Sequence, residues 1–152
     1  MMSKIIPLTQ GKEAIVDDED YEWLSQWKWF ISKRKYASRH FGDKLMYMHR
    51  MIMNTPSGME TDHINGNELD NRRENLRICT RKENARNIKY NSNNTSGYKG
   101  VVWDKRNKKW RAQISYDKIN KTLGRFENIL DAVLAYDTAA KELFGAFAKT
   151  NF

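Results

Sequence analysis

From position 54 to position 94 the chain is dense in Asn, Asp and Arg and poor in large apolar side chains, whereas the stretches on either side carry the aromatic and aliphatic residues. Such a segment is ill suited to a core and well suited to a polar site, so function is expected to concentrate there. The apolar residues fall into two separated blocks. At 152 residues there is room for one ordinary domain or two small ones, and a 39% hydrophobic fraction with five tryptophans indicates globular cores rather than disorder. Neither core can be large.

Charge narrows the partner. Lys and Arg number 27 against 19 Asp and Glu, a net charge of +8, with a pI near 9.6, as expected where the partner is a polyanion. Residues 1–60 hold nine basic and eight acidic side chains, residues 61–94 seven and five, and residues 95–152 eleven and six. The excess therefore lies in the C-terminal part. One cysteine, Cys79, excludes an internal disulfide and a cysteine-based zinc knuckle. With no long apolar run at the N-terminus or elsewhere, the expectation is an intracellular, cytoplasmic chain that is neither secreted nor membrane-bound.

Residues 1–53 read as a β-rich segment. Ile5–Leu8 and Glu13–Val16 suit strands, and the acidic run Asp17–Asp20 suits the start of a short helix, where exposed amide groups favour negative charge. Trp27–Ile31 and Lys35–Arg39 suit a hairpin, and Met46–Met53 is an apolar strand or helix. Residues 54–90 hold the polar motif, residues 91–97 read as a linker, and residues 98–152 as a separate domain.

The informative stretch is Asp62-His63-Ile64-Asn65-Gly66-Asn67 through Asp70-Asn71-Arg72-Arg73-Glu74-Asn75-Leu76-Arg77 to Thr80 and Asn84. Phosphodiester hydrolysis needs a general base for water and neutralisation of charge at the scissile phosphate, commonly by a divalent cation. His63 can act as the base, and Asp62 and Asn84 offer hard oxygen ligands suited to Mg²⁺ or Mn²⁺. Asn65-Gly66 is a hairpin signal, so a strand should end at Asp62-His63 with a second strand or loop beyond. Thr80 as N-cap suits a helix over residues 83–87. Taken singly, an Asp-His pair is common and each Asn could cap a turn; the joint spacing carries the argument.

That spacing resembles the HNH nuclease motif of phage and intron-encoded homing endonucleases, over about residues 45–90. The resemblance implies a ββα-metal fold in which His63 is the general base, Asn75 orients it, and Asp62 and Asn84 bind the metal, Mg²⁺ first and Mn²⁺ second. The third letter is Asn84 rather than His, which keeps a hard oxygen and disfavours zinc. Arg72, Arg73, Arg77, Arg81 and Arg86 are candidate phosphate clamps or a solvated basic face. His49, in an apolar run, reads as a packed or phosphate-contacting histidine outside the catalytic set.

In the C-terminal part Trp110, Ala112 and Ile114 alternate with Arg111, Gln113 and Ser115, the period of a half-buried strand. Thr122–Phe126 reads as a further strand, and Asn128 as the cap of a helix ending at Phe144 before Gly145. Residues 95–152 resemble the ethylene-response-factor type of DNA-binding domain, which implies a three-stranded antiparallel sheet in the major groove backed by one helix. On that likeness Val101, Ala112, Ile114 and Leu123 face the helix. Lys99, Arg111 and Gln113 point toward DNA, with Trp103, Lys105, Arg106 and Arg125 as further candidates.

The expected fold is α+β: a small β-rich segment, a ββα-metal core, and a three-stranded antiparallel sheet packed on one helix. The expected activity is site-specific nicking of double-stranded DNA to 3′-hydroxyl and 5′-phosphate ends, by a monomer or homodimer with no obligatory protein partner. The alternative is a DNA-binding transcriptional regulator whose nuclease site is inactive. The first fifty residues, with Trp27, Trp29, Lys33, Arg34, Lys35 and Arg39, serve as scaffold or as DNA contacts.

Overall fold

The computed structural model describes residues 2–87 and 94–152, and the chain divides into two compact units, Met1–Asn84 and Ala85–Phe152. The expected end of the motif at residues 88–90, and positions 91–93 of the expected linker, lie outside the described residues.

In the first unit, β1 (Ser3–Pro7) and β2 (Glu13–Asp17) pair antiparallel, with Ser3 opposite Asp17. Helix α1 (Asp18–Leu24) follows, and then β3 (Phe30–Ile31), β4 (Ala37–Phe41) and β5 (Lys44–Tyr47) form an antiparallel sheet in that order. The apolar run expected as strand or helix is both: β5 ends at Tyr47 and α2 (Met48–Ile52) begins at the next residue. β6 (Glu60–His63) and β7 (Leu76–Cys79) pair antiparallel, and α3 (Arg81–Asn84) closes the unit.

The motif does not fold on its own apolar residues. Leu76 lies in the same cluster as Ile6, Ala14, Val16, Leu24, Trp29 and Met48, and Leu69 packs against that cluster. The N-terminal segment thus supplies the core on which the polar site rests, and at about 2–5 kcal/mol for a buried Leu→Ala change, Leu76 matters to both.

Asn65-Gly66 does turn the chain, with Gly66 at φ +73 and its N–H donating to the His63 carbonyl at 2.9 Å. The partner strand begins only at Leu76, however. Asn side chains explain the delay, because they bond to nearby backbone in place of a ladder. Asn65 Oδ1 accepts from Asn67 N at 2.8 Å, and Asn67 Oδ1 accepts from Leu69 N at 3.1 Å.

In the second unit β8 (Val101–Asp104), β9 (Lys109–Tyr116) and β10 (Ile119–Phe126) form an antiparallel sheet with β9 central, packed against α4 (Ile129–Phe144). Val101, Ala112 and Ile114 from the sheet meet Ala132, Val133, Tyr136 and Ala140 from the helix. Asn128 caps α4 by accepting from Leu130 N at 2.9 Å. Gly145 ends the helix at φ +51. Gly100, at φ +74, lies so close to Tyr136 that a Cβ would clash with the edge of the phenol ring. Among the described residues no helix is long and apolar enough to cross a membrane.

Candidate functional site

Side chains alternate along β6, so Glu60 and Asp62 share one face of the hairpin while Thr61 and His63 share the other. On the first face Asp62 stands opposite Arg77, whose Nε and Nη2 donate to Asp62 Oδ2 at 2.9 and 2.7 Å. Helix α3 packs against β6 and β7. A reciprocal cap holds its start: Glu83 N donates to Thr80 Oγ1 at 3.2 Å, and Thr80 N donates to Glu83 Oε2 at 2.8 Å. At its end Asn84 Nδ2 donates to Glu60 Oε2 at 2.6 Å. The carboxylate of Asp62 and the amide oxygen of Asn84 are hard donors carrying a single negative charge, a set that fits Mg²⁺ or Mn²⁺ better than zinc.

His63 is buried at 4% exposure. Its Nε2 lies 3.3 Å from Asn71 Oδ1, and Asn71 Nδ2 donates to the Leu69 carbonyl at 3.2 Å. Since only the NH₂ of Asn71 can meet a carbonyl, its oxygen must face the imidazole, which places the ring proton on Nε2 and the lone pair on Nδ1. Burial pushes the His63 pKa below 6.5, opposed by the Asn71 hydrogen bond and the Asp62, Glu68 and Asp70 carboxylates.

The asparagine whose side chain meets His63 is Asn71, which was not among the expected site residues. Asn75, expected to orient His63, spends its amide on the loop: Asn65 N donates to Asn75 Oδ1 at 3.0 Å, and Asn75 Nδ2 donates to the Asp70 carbonyl at 2.8 Å. Asn71 is fully buried and is fixed from the N-terminal segment, since its N–H donates to the Ile15 carbonyl at 2.7 Å while Ile15 N donates to the Leu69 carbonyl at 2.8 Å. No sequence signal separates Asn71 from its many Asn neighbours.

The same segment walls the imidazole. Tyr36 stacks on His63 with centroids 5.9 Å apart, and His49 meets it edge-on at 5.0 Å. His49 is the packed histidine of the two alternatives, with burial holding its pKa down to about 3 and its Nδ1 without a hydrogen-bond partner. The acidic run serves the site as well. Asp17, at the α1 start, makes no cap bond and instead accepts from Arg73 N at 2.7 Å, while the buried Asp20 accepts Arg73 Nε and Nη2 at 2.8 and 2.7 Å.

Three of the arginines expected at phosphates are therefore engaged inside the unit. Arg73 holds Asp20, Arg77 holds Asp62, and Arg72 holds Asp70 and Glu74. Arg81 is exposed on α3. Arg86 belongs to the second unit, where its guanidinium lies 4.6 Å from the Phe144 ring centroid.

In that unit Arg111, Gln113 and Arg125 lie on the sheet face turned away from α4, because Ala112 and Ile114 take the helix side and Arg125 stands opposite Arg111. Arg125 Nε donates to Asp104 Oδ2 at 2.8 Å. Trp103 shares the helix-side parity of Val101 and meets Trp110 edge-on at 5.0 Å, apart from the Arg111 face. Lys105 and Arg106 are exposed between β8 and β9. Lys99 Nζ donates to the Arg86 carbonyl at 2.7 Å, and burial, with Lys149 adding to it, lowers the Lys99 pKa to about 8.

A family described as HNH endonuclease matches residues 54–86. Protein 3.8 of Escherichia phage T7 is 36% identical over 94 residues, covering 62% of this chain and 77% of that protein. An uncharacterized HNH endonuclease of Acanthamoeba polyphaga mimivirus is 30% identical over 148 residues, covering 93% of this chain and 76% of that one. An ethylene-responsive transcription factor of Arabidopsis thaliana is 34% identical over 96 residues, covering 60% of this chain and 58% of its own length. No solved structure matches.

Proposed function

Because the chain belongs to the HNH endonuclease family, we propose that it is a site-specific, metal-dependent DNA endonuclease of the homing type that nicks one strand, leaving 3′-hydroxyl and 5′-phosphate ends. The observation that carries this reading is the buried His63 imidazole, its pKa pushed down by burial and its Nε2 toward Asn71, next in sequence to Asp62, which shares a face of β6 with Glu60, the partner of Asn84.

In this reading His63 Nδ1 takes a proton from the attacking water, and Asn71 keeps the ring in the tautomer that can do so. Asp62 and Asn84 would hold the divalent cation, whose chemistry when bound is neutralisation of the charge building on the scissile phosphate and the leaving oxygen. Arg77 fixes the Asp62 carboxylate through Oδ2. Asn75 acts at one remove, closing the loop that carries Asn71. β6, β7 and α3 are then the two strands and helix of a ββα-metal unit.

Arg81 is the proposed phosphate contact beside this site, and Arg111, Gln113 and Arg125 are the proposed groove contacts of the second unit. The name of the plant relative, a transcription factor, accords with a DNA-reading role for that sheet.

The experiment is incubation of supercoiled plasmid carrying the gene's native locus with Mg²⁺. Open circles accumulate, a chelator stops them, and His63→Ala slows them roughly 10²–10⁴-fold, the usual worth of a positioned base. Undiminished nicking by His63→Ala would refute the reading.

A further inference from the structure

Asn84 ends α3, and its amide nitrogen donates to Glu60 Oε2 at 2.6 Å. An ionised carboxylate only accepts hydrogen bonds, so the Asn84 group facing Glu60 is the NH₂. That choice has a chemical consequence. The last torsion of Asn is broad and roughly two-fold, and its two settings offer opposite groups at the same point in space: an oxygen able to ligate a cation, or an NH₂ that repels one.

The hydrogen bonds described for α3 itself do not make the selection. The helix is a single turn with no buried side chain. Its cap fixes Thr80 and Glu83, and the Asn84 backbone N–H donates to the Thr80 carbonyl at 3.0 Å, which leaves the side-chain torsion undetermined. Glu60 lies two residues before Asp62 on β6 and hence on the same face, so it stands where it can grip Asn84 from the Asp62 side of the hairpin.

We propose that Glu60 is a positioning residue of the metal centre: by holding the Asn84 amide nitrogen, it turns the Asn84 oxygen outward as a ligand beside the Asp62 carboxylate. This rests on the reading of Asp62 and Asn84 as the ligands. Glu60 acts through Asn84, as the partners behind a ligand do when their loss costs roughly 10–100-fold in metal affinity.

The test is Mn²⁺ binding by the full chain without DNA, followed by the electron paramagnetic resonance signal of free Mn²⁺, in a double-mutant cycle. Glu60→Ala is expected to weaken binding about tenfold, Asn84→Ala at least as much, and the double variant no further than Asn84→Ala alone. Wild-type affinity in Glu60→Ala overturns the proposal. So does a double variant weaker than Asn84→Ala by the full Glu60→Ala factor, because Glu60 would then act by its own charge. Asp62→Ala separates the levels: loss of Mn²⁺ there with full binding in Glu60→Ala removes the proposal alone, whereas full binding in Asp62→Ala removes the ligand reading and the proposal together. Glu60→Met, of similar size but unable to accept from Asn84 Nδ2, takes the place of the alanine variant in the same cycle if that variant does not fold.

Discussion

At the scale of single residues the site consists of side chains whose second hydrogen-bonding group is already spoken for. Asn71 shows its oxygen to His63 because its NH₂ is held by Leu69. Replacing Asn71 with Ala removes the bond that sets the tautomer, and a loss of roughly 10–100-fold in kcat with little change in KM is expected, by analogy with other supporting partners. A pH profile adds an independent readout. Since His63 must be neutral to act and burial places its pKa below 6.5, nicking should be flat near neutrality and fall only on an acid limb below that value.

His49 gives a stability prediction of its own. Its pKa is about 3 in the folded chain, against about 6.5 when unfolded, so between those values only the unfolded form takes the proton and stability drops as pH falls. At about 1.4 kcal/mol per unit, some 2 kcal/mol is lost between pH 6.5 and 5. Denaturant unfolding of His49→Leu should show an acid dependence shallower by about that much. The Asp62-His63 pair and Asn84 stand out in the sequence as candidates because their types and joint spacing match a known chemistry. Asn71 does not, since its role depends on a backbone clamp from Ile15, far away in the chain.

Elements were easier to foresee than the links between them. The strand pattern of Trp110–Ser115, the Asn128 cap and the Gly145 stop all follow from local periodicity and cap chemistry. The acidic run at residues 17–20 was legible only as a helix start. Its longer-range task, holding Arg73, needs the β1–β2 hairpin to bring α1 beneath the motif. Arg73→Ala would take two charged donors from the buried Asp20 while Trp23 Nε1 still donates to it, and a cost of about 1–3 kcal/mol is expected in denaturant unfolding. In the second unit Gly100→Ala meets both a positive φ and the Tyr136 ring. Its thermal midpoint should fall by several degrees, as about 1–3 kcal/mol of strain would cause in a domain of this size; an unchanged midpoint would mean that β8 shifts freely.

Across the whole molecule, polar chemistry and apolar support come from different stretches of chain. The first fifty residues looked equally like scaffold or DNA surface; the contacts of β2, α1, Tyr36 and His49 give them a scaffold task around His63. The second unit carries most of the positive excess, eleven basic against six acidic side chains over residues 95–152. Binding to duplex DNA should therefore weaken steeply with salt, and Arg111→Ala should cost about 1–3 kcal/mol of specific affinity. A gel-shift titration at two salt concentrations separates the two effects.

The central claim is that the His63 imidazole is the proton acceptor. It is tested most directly by chemical rescue: His63→Gly, incubated with supercoiled plasmid and Mg²⁺, should nick very slowly and recover with added imidazole, while Asp62→Ala should not recover. Wild-type nicking by His63→Gly without imidazole would contradict the account.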